Sequence, residues 1–271
     1  MNTDNKNINR IDRCFAELKA ANKKALITFV TAGDPDLETT EKTVLEMFDR
    51  GADIIELGVP FSDPIAEGVT IQKASLRSLN NGTTLDKIFE TVKNIRTKTD
   101  KPLLLMMYLN TIFVYGTEKF FSLCREYGID GVIVPDMPYE ERDELLPYAD
   151  KYGIHNINLV SPASHDRIKE IAADSSGFLY CVSSNGVTGI RSGFSTDFDE
   201  FFGLIRDNAS CPYCVGFGIS GAQQAHDMAS YCDGVIVGSA IVNIIAENGK
   251  DCVNKVGDFV QELKEGISDS I

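Results

Sequence analysis

The chain has 271 residues, 43% of them hydrophobic, which is ample material for a buried core, and it carries a net charge of −14 at pH 7. That balance argues against nucleic acid or an anionic membrane as partner, since both need a basic face, yet it leaves room for a small, locally positive pocket. No apolar run approaches membrane-spanning length, and the polar, Asn-rich opening lacks the apolar segment of a secretory signal, so a cytoplasmic protein is expected.

In chain order, Ile8–Ala21 reads as an extra helix that precedes the first strand and covers the bottom of the domain. Strand-length apolar runs then alternate with amphipathic stretches: strand Ala25–Thr31, helix Glu38–Arg50, strand Asp53–Leu57, helix Leu85–Lys98, strands Pro102–Tyr108 and Gly131–Val134. Helix Glu140–Lys151, strand Asn156–Val160, helix His165–Ala173, strands Gly177–Val182, Tyr213–Phe217 and Gly234–Val237, and helix Val253–Glu265 complete the series. Near-continuous Val, Ile and Leu runs suit parallel strands buried on both faces. Eight β-then-α units with no second composition regime predict a (β/α)₈ TIM barrel with an extra N-terminal helix, one domain over residues 1–271. A faint repeat fits this: Gly51-Ala-Asp-Ile-Ile, Gly128-Ile-Asp-Gly-Val-Ile and Tyr231-Cys-Asp-Gly-Val-Ile each place an Asp before an apolar strand.

Seven scattered cysteines, an odd count, read as free thiols. Cys211-Pro-Tyr-Cys214 has the spacing of a redox pair, but it precedes a strand instead of opening a helix, so chance is the better reading. His155, His165 and His226 are isolated near strand or helix starts, and no metal constellation is expected.

Barrel sites gather in the loops after the strands. After the second predicted strand comes Glu56-Leu-Gly-Val-Pro-Phe-Ser-Asp-Pro-Ile-Ala-Glu67. Glu56 sits inside the apolar run, where a carboxylate is costly unless protonated, paired or used. It is either a partner for a buried hydroxyl or Lys, or an acid–base group. Glu67, in the same loop, is placed to join it on one substrate. The long Gly-punctuated stretch Ser183–Gly193 reads as a lid. Gly216-Phe-Gly-Ile-Ser220 and Gly238-Ser239, ahead of a short helix, read as a phosphate cradle of backbone N–H groups, the alternative being two ordinary tight turns.

With these residues in view, the chain resembles the tryptophan synthase α-subunit family over essentially its whole length. The likeness runs through Phe29-Val-Thr-Ala-Gly-Asp-Pro35, the Glu56–Pro64 segment, Gly186-Val-Thr-Gly189, Gly216–Ser220 and Gly238–Val242. The resemblance implies cleavage of indole-3-glycerol phosphate to indole and glyceraldehyde 3-phosphate, with no cofactor in this chain. It also implies a β-subunit partner that carries pyridoxal phosphate, in an α2β2 heterotetramer. Residue by residue, it implies Glu56 as acid–base and Glu67 as the carboxylate facing the indole N–H. Thr188 matches the lid threonine, and Gly189, Gly218, Gly238 and Ser239 the phosphate contacts. Phe29, Ile71, Tyr108, Tyr180 and Phe217 match positions near the indole ring, though such residues serve equally as barrel core. Pro60, Asp63, Asn110, Asp136 and Pro138 are expected to face the partner.

Two departures stand out. The family has Asp-Gly-Pro where this chain has Glu67-Gly68-Val69, and a lid Arg where this chain has Ser184-Asn185. Two further readings stay open beside full catalysis: a weakly active subunit that regulates its β partner, and a free-standing indole-releasing lyase.

Overall fold

The computed structural model describes residues 8–182, 198–216 and 218–268. Nine short parallel strands, β1 (Ala25–Thr31), β2 (Ile54–Gly58), β3 (Leu103–Met106), β4 (Gly131–Ile133), β5 (His155–Ile157), β6 (Leu159–Val160), β7 (Leu179–Val182), β8 (Tyr213–Gly216) and β9 (Gly234–Val237), form one sheet. Its order is β5-β4-β3-β2-β1-β9-β8-β7-β6. The two edge strands are one stretch of chain interrupted at Asn158, so the sheet closes on itself as a barrel of eight staves.

The helices are α1 (Arg10–Ala20), α2 (Leu37–Asp49), α3 (Val69–Asn80), α4 (Leu85–Arg96), α5 (Leu109–Tyr115) and α6 (Thr117–Tyr127). They continue with α7 (Leu146–Tyr152), α8 (Ile168–Ala173), α9 (Phe198–Asn208), α10 (Ala222–Ala229), α11 (Ser239–Asn248) and α12 (Val253–Ser268). Local chemistry sets several starts. Asp36 and Thr84 cap α2 and α4 by accepting from Thr39 N and Lys87 N. The predicted helix Glu140–Lys151 is split: a 3₁₀ turn, Tyr139–Glu144, precedes α7, which has Pro147 in its first turn, where the missing N–H costs nothing.

The repeated aspartates have a common task. Asp53 accepts from Leu26 N at 2.7 Å, Asp130 from Leu103 N at 2.9 Å and Asp233 from Tyr213 N at 3.1 Å. Each stands just before its strand and bonds the amide at the start of the neighbouring one, pinning register at the barrel foot. Cations pair with two of these charges: Lys264 reaches half-buried Asp53 at 2.7 Å, while Arg10 (2.8 Å) and Arg96 (2.7 Å) grip buried Asp130 from both sides.

α1 closes the foot. Its cap Asn9 accepts from Ile11 N and donates to the carbonyls of Asp130 and Gly153. Ile11 and Phe15 then reach up into a layer of inward-facing side chains, Ile27, Ile54, Leu104, Ile133, Ile157, Phe178 and Cys214. This close-packed floor fills the lower barrel interior and leaves the interior cavity above it.

Candidate active site

Above the floor, period-two alternation turns Phe29, Glu56, Met106, Tyr180 and Ile236 inward, and these line a cavity of about 730 Å³ up to its open mouth. Two glycines make room for its rings. A Cβ on Gly58 would collide with the Phe29 ring, and one on Gly216 would lie 2.6 Å from ring atoms of Tyr180.

Glu56 pairs laterally with Phe29 on β1 and Leu104 on β3. It is fully buried, and among the described residues neither carboxyl oxygen has a hydrogen-bond partner. Among the described residues, then, no buried Lys or hydroxyl partners it. Burial pushes its pKa up to about 8, so the side chain is a neutral acid at pH 7. An acid held this way can donate a proton and take one back within a single turnover.

Glu67 lines the same cavity from the loop between β2 and α3. Its pKa is raised on balance: burial is the largest influence and the charge of Asp136 adds to it, while hydrogen bonds from the Tyr108 hydroxyl and its own backbone oppose them. The cavity thus presents one carboxyl that is neutral and a second with donors to favour its charge, which separates their roles.

At the other end, Gly218, Ile219, Ser220, Gly238, Ser239 and Ala240 form the wall. Gly218 adopts φ +69°, a left-handed turn that suits glycine. α11 begins at Ser239, so its first amides have no partner within the helix and its positive dipole end meets the cavity. Ser220 is occupied otherwise, giving both its N–H and its hydroxyl to Gln224. Among the described lining residues there is no Lys, Arg or His, so what this wall offers an anion is backbone dipoles.

The sequence profile of the family described as Tryptophan synthase alpha chain matches residues 15–268. The chain belongs to that family. A tryptophan synthase alpha chain of Clostridium kluyveri is 48% identical over 262 residues, 96% of this chain and 100% of the relative. The crystal structure of tryptophan synthase subunit alpha from Legionella pneumophila superposes with TM-score 0.87 at 35% identity, covering 97% of this chain and 100% of that one. A chain of the tryptophan synthase complex from Pyrococcus furiosus gives TM-score 0.81 at 36% identity, over 89% and 98% of the two chains.

Of the positions that likeness to the tryptophan synthase alpha chain family had singled out, Phe29, Glu56, Glu67, Ile71, Tyr180, Gly218, Gly238 and Ser239 come together around the one cavity. Ser184, Asn185, Thr188, Gly189 and Phe217 lie outside the described residues. Tyr108 differs: it is not among the cavity-lining residues, and its hydroxyl is turned to Glu67 and the loop before it. Ile219 and Ser220, from the predicted cradle segment, line it too, and Ala66, Met106, Ile236 and Ala240 do so without having been singled out. Met106 and Ile236 were readable, since each lies two residues along from an inward-facing Leu104 or Gly234.

The five expected partner-facing residues are dispersed around the mouth of this alpha-chain-family barrel. Asp63, Asn110 and Pro138 are exposed, Pro60 is buried, and half-buried Asp136 accepts from Leu109 N to cap α5. Close by in sequence, Ile65, Val69, Phe113 and Val114 are 74%, 62%, 46% and 80% exposed.

The remaining sequence candidates fall away. His155 joins Asp12 and Ser176 at the foot, and His226 meets the Gly266 carbonyl. All seven cysteines are free. Burial pushes Cys211 up to about 12 and Cys214 well above its ordinary value, so neither offers the thiolate a redox pair needs. Among the described residues no group of His, Cys, Asp and Glu could hold a metal ion.

Proposed function

We propose that this chain cleaves indole-3-glycerol phosphate to indole and glyceraldehyde 3-phosphate, with Glu56 and Glu67 in distinct acid–base roles. The observation that carries the reading is Glu56: a wholly buried, unpartnered carboxyl on the cavity wall, raised to about 8 and hence protonated at neutral pH. Protonated Glu56 delivers its proton to C3 of the indole ring, which makes that carbon tetrahedral and places positive charge on the ring nitrogen. The ionised Glu67 carboxylate accepts the ring N–H and stabilises that charge. Glu56, now a carboxylate, takes the proton of the adjacent glycerol hydroxyl. The C–C bond then breaks, its electrons return to the ring, and indole and the aldehyde leave with Glu56 protonated again.

Phe29, Ile71 and Tyr180 supply an apolar slot for the ring. The amides around Gly218, Gly238 and Ser239 hold the phosphate, with Thr188, Gly189 and Phe217 completing the family's pattern. In this reading the chain needs no cofactor. It works in the cytoplasm as one domain, beside a β subunit that carries pyridoxal phosphate. Pro60, Asp63, Asn110, Asp136 and Pro138, together with exposed Ile65, Phe113 and Val114, form the docking face, next to where indole is made.

The test is indole release from indole-3-glycerol phosphate by the purified chain and by Glu56→Gln. The amide matches the carboxyl in shape but transfers no proton, so a loss on the order of 10²-fold or more is expected. Retention of most of the turnover by the variant would overturn the assignment.

A further inference from the structure

We propose that Tyr108 is a positioning residue of this site, whose single phenol oxygen gathers the Ile65 and Ala66 amides and the Glu67 carboxylate and thereby fixes where that carboxylate meets the substrate. The proposal rests on the function argued above, because it concerns how the second carboxylate is placed for a ring N–H.

Tyr108 follows β3 and stands at the N-cap of α5. Its side chain is 3% exposed, and its ring stacks on Phe61 with centroids 4.8 Å apart and planes 23° from parallel. The hydroxyl accepts from Ile65 N and from Ala66 N, each at 2.9 Å, and donates to Glu67 Oε2. A phenol oxygen has two acceptor positions and one proton. With both acceptor positions taken by backbone N–H groups, the proton has one direction left, toward Glu67. The loop from Phe61 to Glu67 is thus wrapped around one side chain, by stacking at its start and by three hydrogen bonds at its end.

This arrangement answers a need that the sequence creates. A glutamate has three rotatable side-chain bonds, and ordering it costs on the order of 1 kcal/mol or more. A half-buried carboxylate also needs a donor to remain charged, and two N–H groups donating into the phenol polarise it as a donor. Burial and the bond to Glu67 push the Tyr108 hydroxyl itself above its usual range, so it keeps its proton at every pH at which the protein works. Core packing alone would be met by phenylalanine, which fills the same space beside Phe61. Only the hydroxyl accounts for the convergence of three groups from the neighbouring loop.

Among the described residues, the titratable groups bearing on Glu67 are Tyr108 and Asp136, with Glu56 and Tyr180 in the same cavity. Asp136 raises the carboxylate and Tyr108 lowers it. Removal of the phenol oxygen therefore takes away the larger of the two influences that lower it, leaving only the bond from its own backbone against burial and Asp136. The acid limb of turnover, where Glu67 must lose its proton, should move to higher pH.

The test compares wild type, Tyr108→Phe, Glu67→Gln and the double variant as full chains, reading kcat and KM for indole release across pH. Tyr108→Phe should lower kcat roughly tenfold with a smaller change in KM, move the acid limb upward, and cost nothing further in the Glu67→Gln background. An unmoved acid limb, or losses that multiply in the double variant, would make Tyr108 a core residue only. If the phenylalanine variant does not fold, 3-fluorotyrosine at position 108 keeps the shape and strengthens the donor. The acid limb should then move downward, and no movement would refute the role. Glu56→Gln run alongside separates the two readings: activity surviving in Glu56→Gln sinks the proposed function, whereas an unmoved acid limb in Tyr108→Phe sinks only this one.

Discussion

Replacing Glu56 by glutamine should strengthen the fold while abolishing activity, and the gain should depend on pH in a defined way. The buried carboxyl keeps its proton until about pH 8 in the folded chain, whereas in the unfolded chain it ionises from its ordinary 4.5. Unfolding between those values therefore releases a proton, and stability falls as pH rises, by about 1.4 kcal/mol per unit. At pH 7 the unfolded chain sits about 2.5 units above the ordinary value, a cost of about 3 kcal/mol that glutamine does not carry. Below about pH 4.5 both side chains are neutral in both states and the two proteins should be equally stable. Urea unfolding of each protein through this range gives the difference curve directly: flat in acid, then rising toward pH 7. A difference that stays constant with pH would mean that Glu56 is not held neutral in the folded state, and the acid–base assignment would go with it.

Further outcomes rest on the same geometry. The kcat/KM profile of the wild type should fall on the alkaline side near pH 8, as Glu56 loses the proton it must donate; a profile flat to pH 10 would contradict this. Gly216→Ala sets a methyl 2.6 Å from the Tyr180 ring, pushing the ring into the cavity, so KM should rise at least several-fold with little loss of fold, as read by steady-state kinetics and thermal melting. Glu67→Asp draws the carboxylate back by about 1.5 Å, one C–C bond, away from Tyr108, and turnover should drop by one to two orders of magnitude; an increase would mean the longer side chain is merely tolerated. Asp63→Ala should weaken activation by a β subunit more than it weakens the isolated chain, and equal losses in both assays would make its role local.

What the sequence discloses depends on whether the signal is local. Glu56 is legible because a charge inside Ile-Ile-Glu-Leu breaks a pattern that nothing else in the run breaks. The aspartate repeat is visible too, but its reason is not, since the amide each one meets lies about 20 to 27 residues earlier. α3 escapes notice because its buried stripe, Ile71, Ala74, Ser75 and Ser78, has helical spacing but is built mainly from small and hydroxyl residues. Tyr108 reads as one more strand aromatic. Its contact with Glu67 spans 41 positions and depends on which way a loop folds over its neighbour. Exposed Ile65 and Val114 escape a periodic reading that assigns apolar residues inward and has no place for a partner chain.

The division between foot and mouth has a consequence for how such a protein changes over generations. The aspartate keys, the paired arginines on Asp130 and the plug of α1 all lie at one end, and the cavity opens at the other. Substitutions that alter the rim, such as a longer acid at position 67 or a different face around Asp63, meet little that holds the barrel shut. The rim is then free to drift with its partner, and the two can trade contacts step by step without passing through an unfolded ancestor. A single change at Asp130, by contrast, takes the shared carboxylate from two arginines and the acceptor from a strand amide at once, so the foot has far less room to explore.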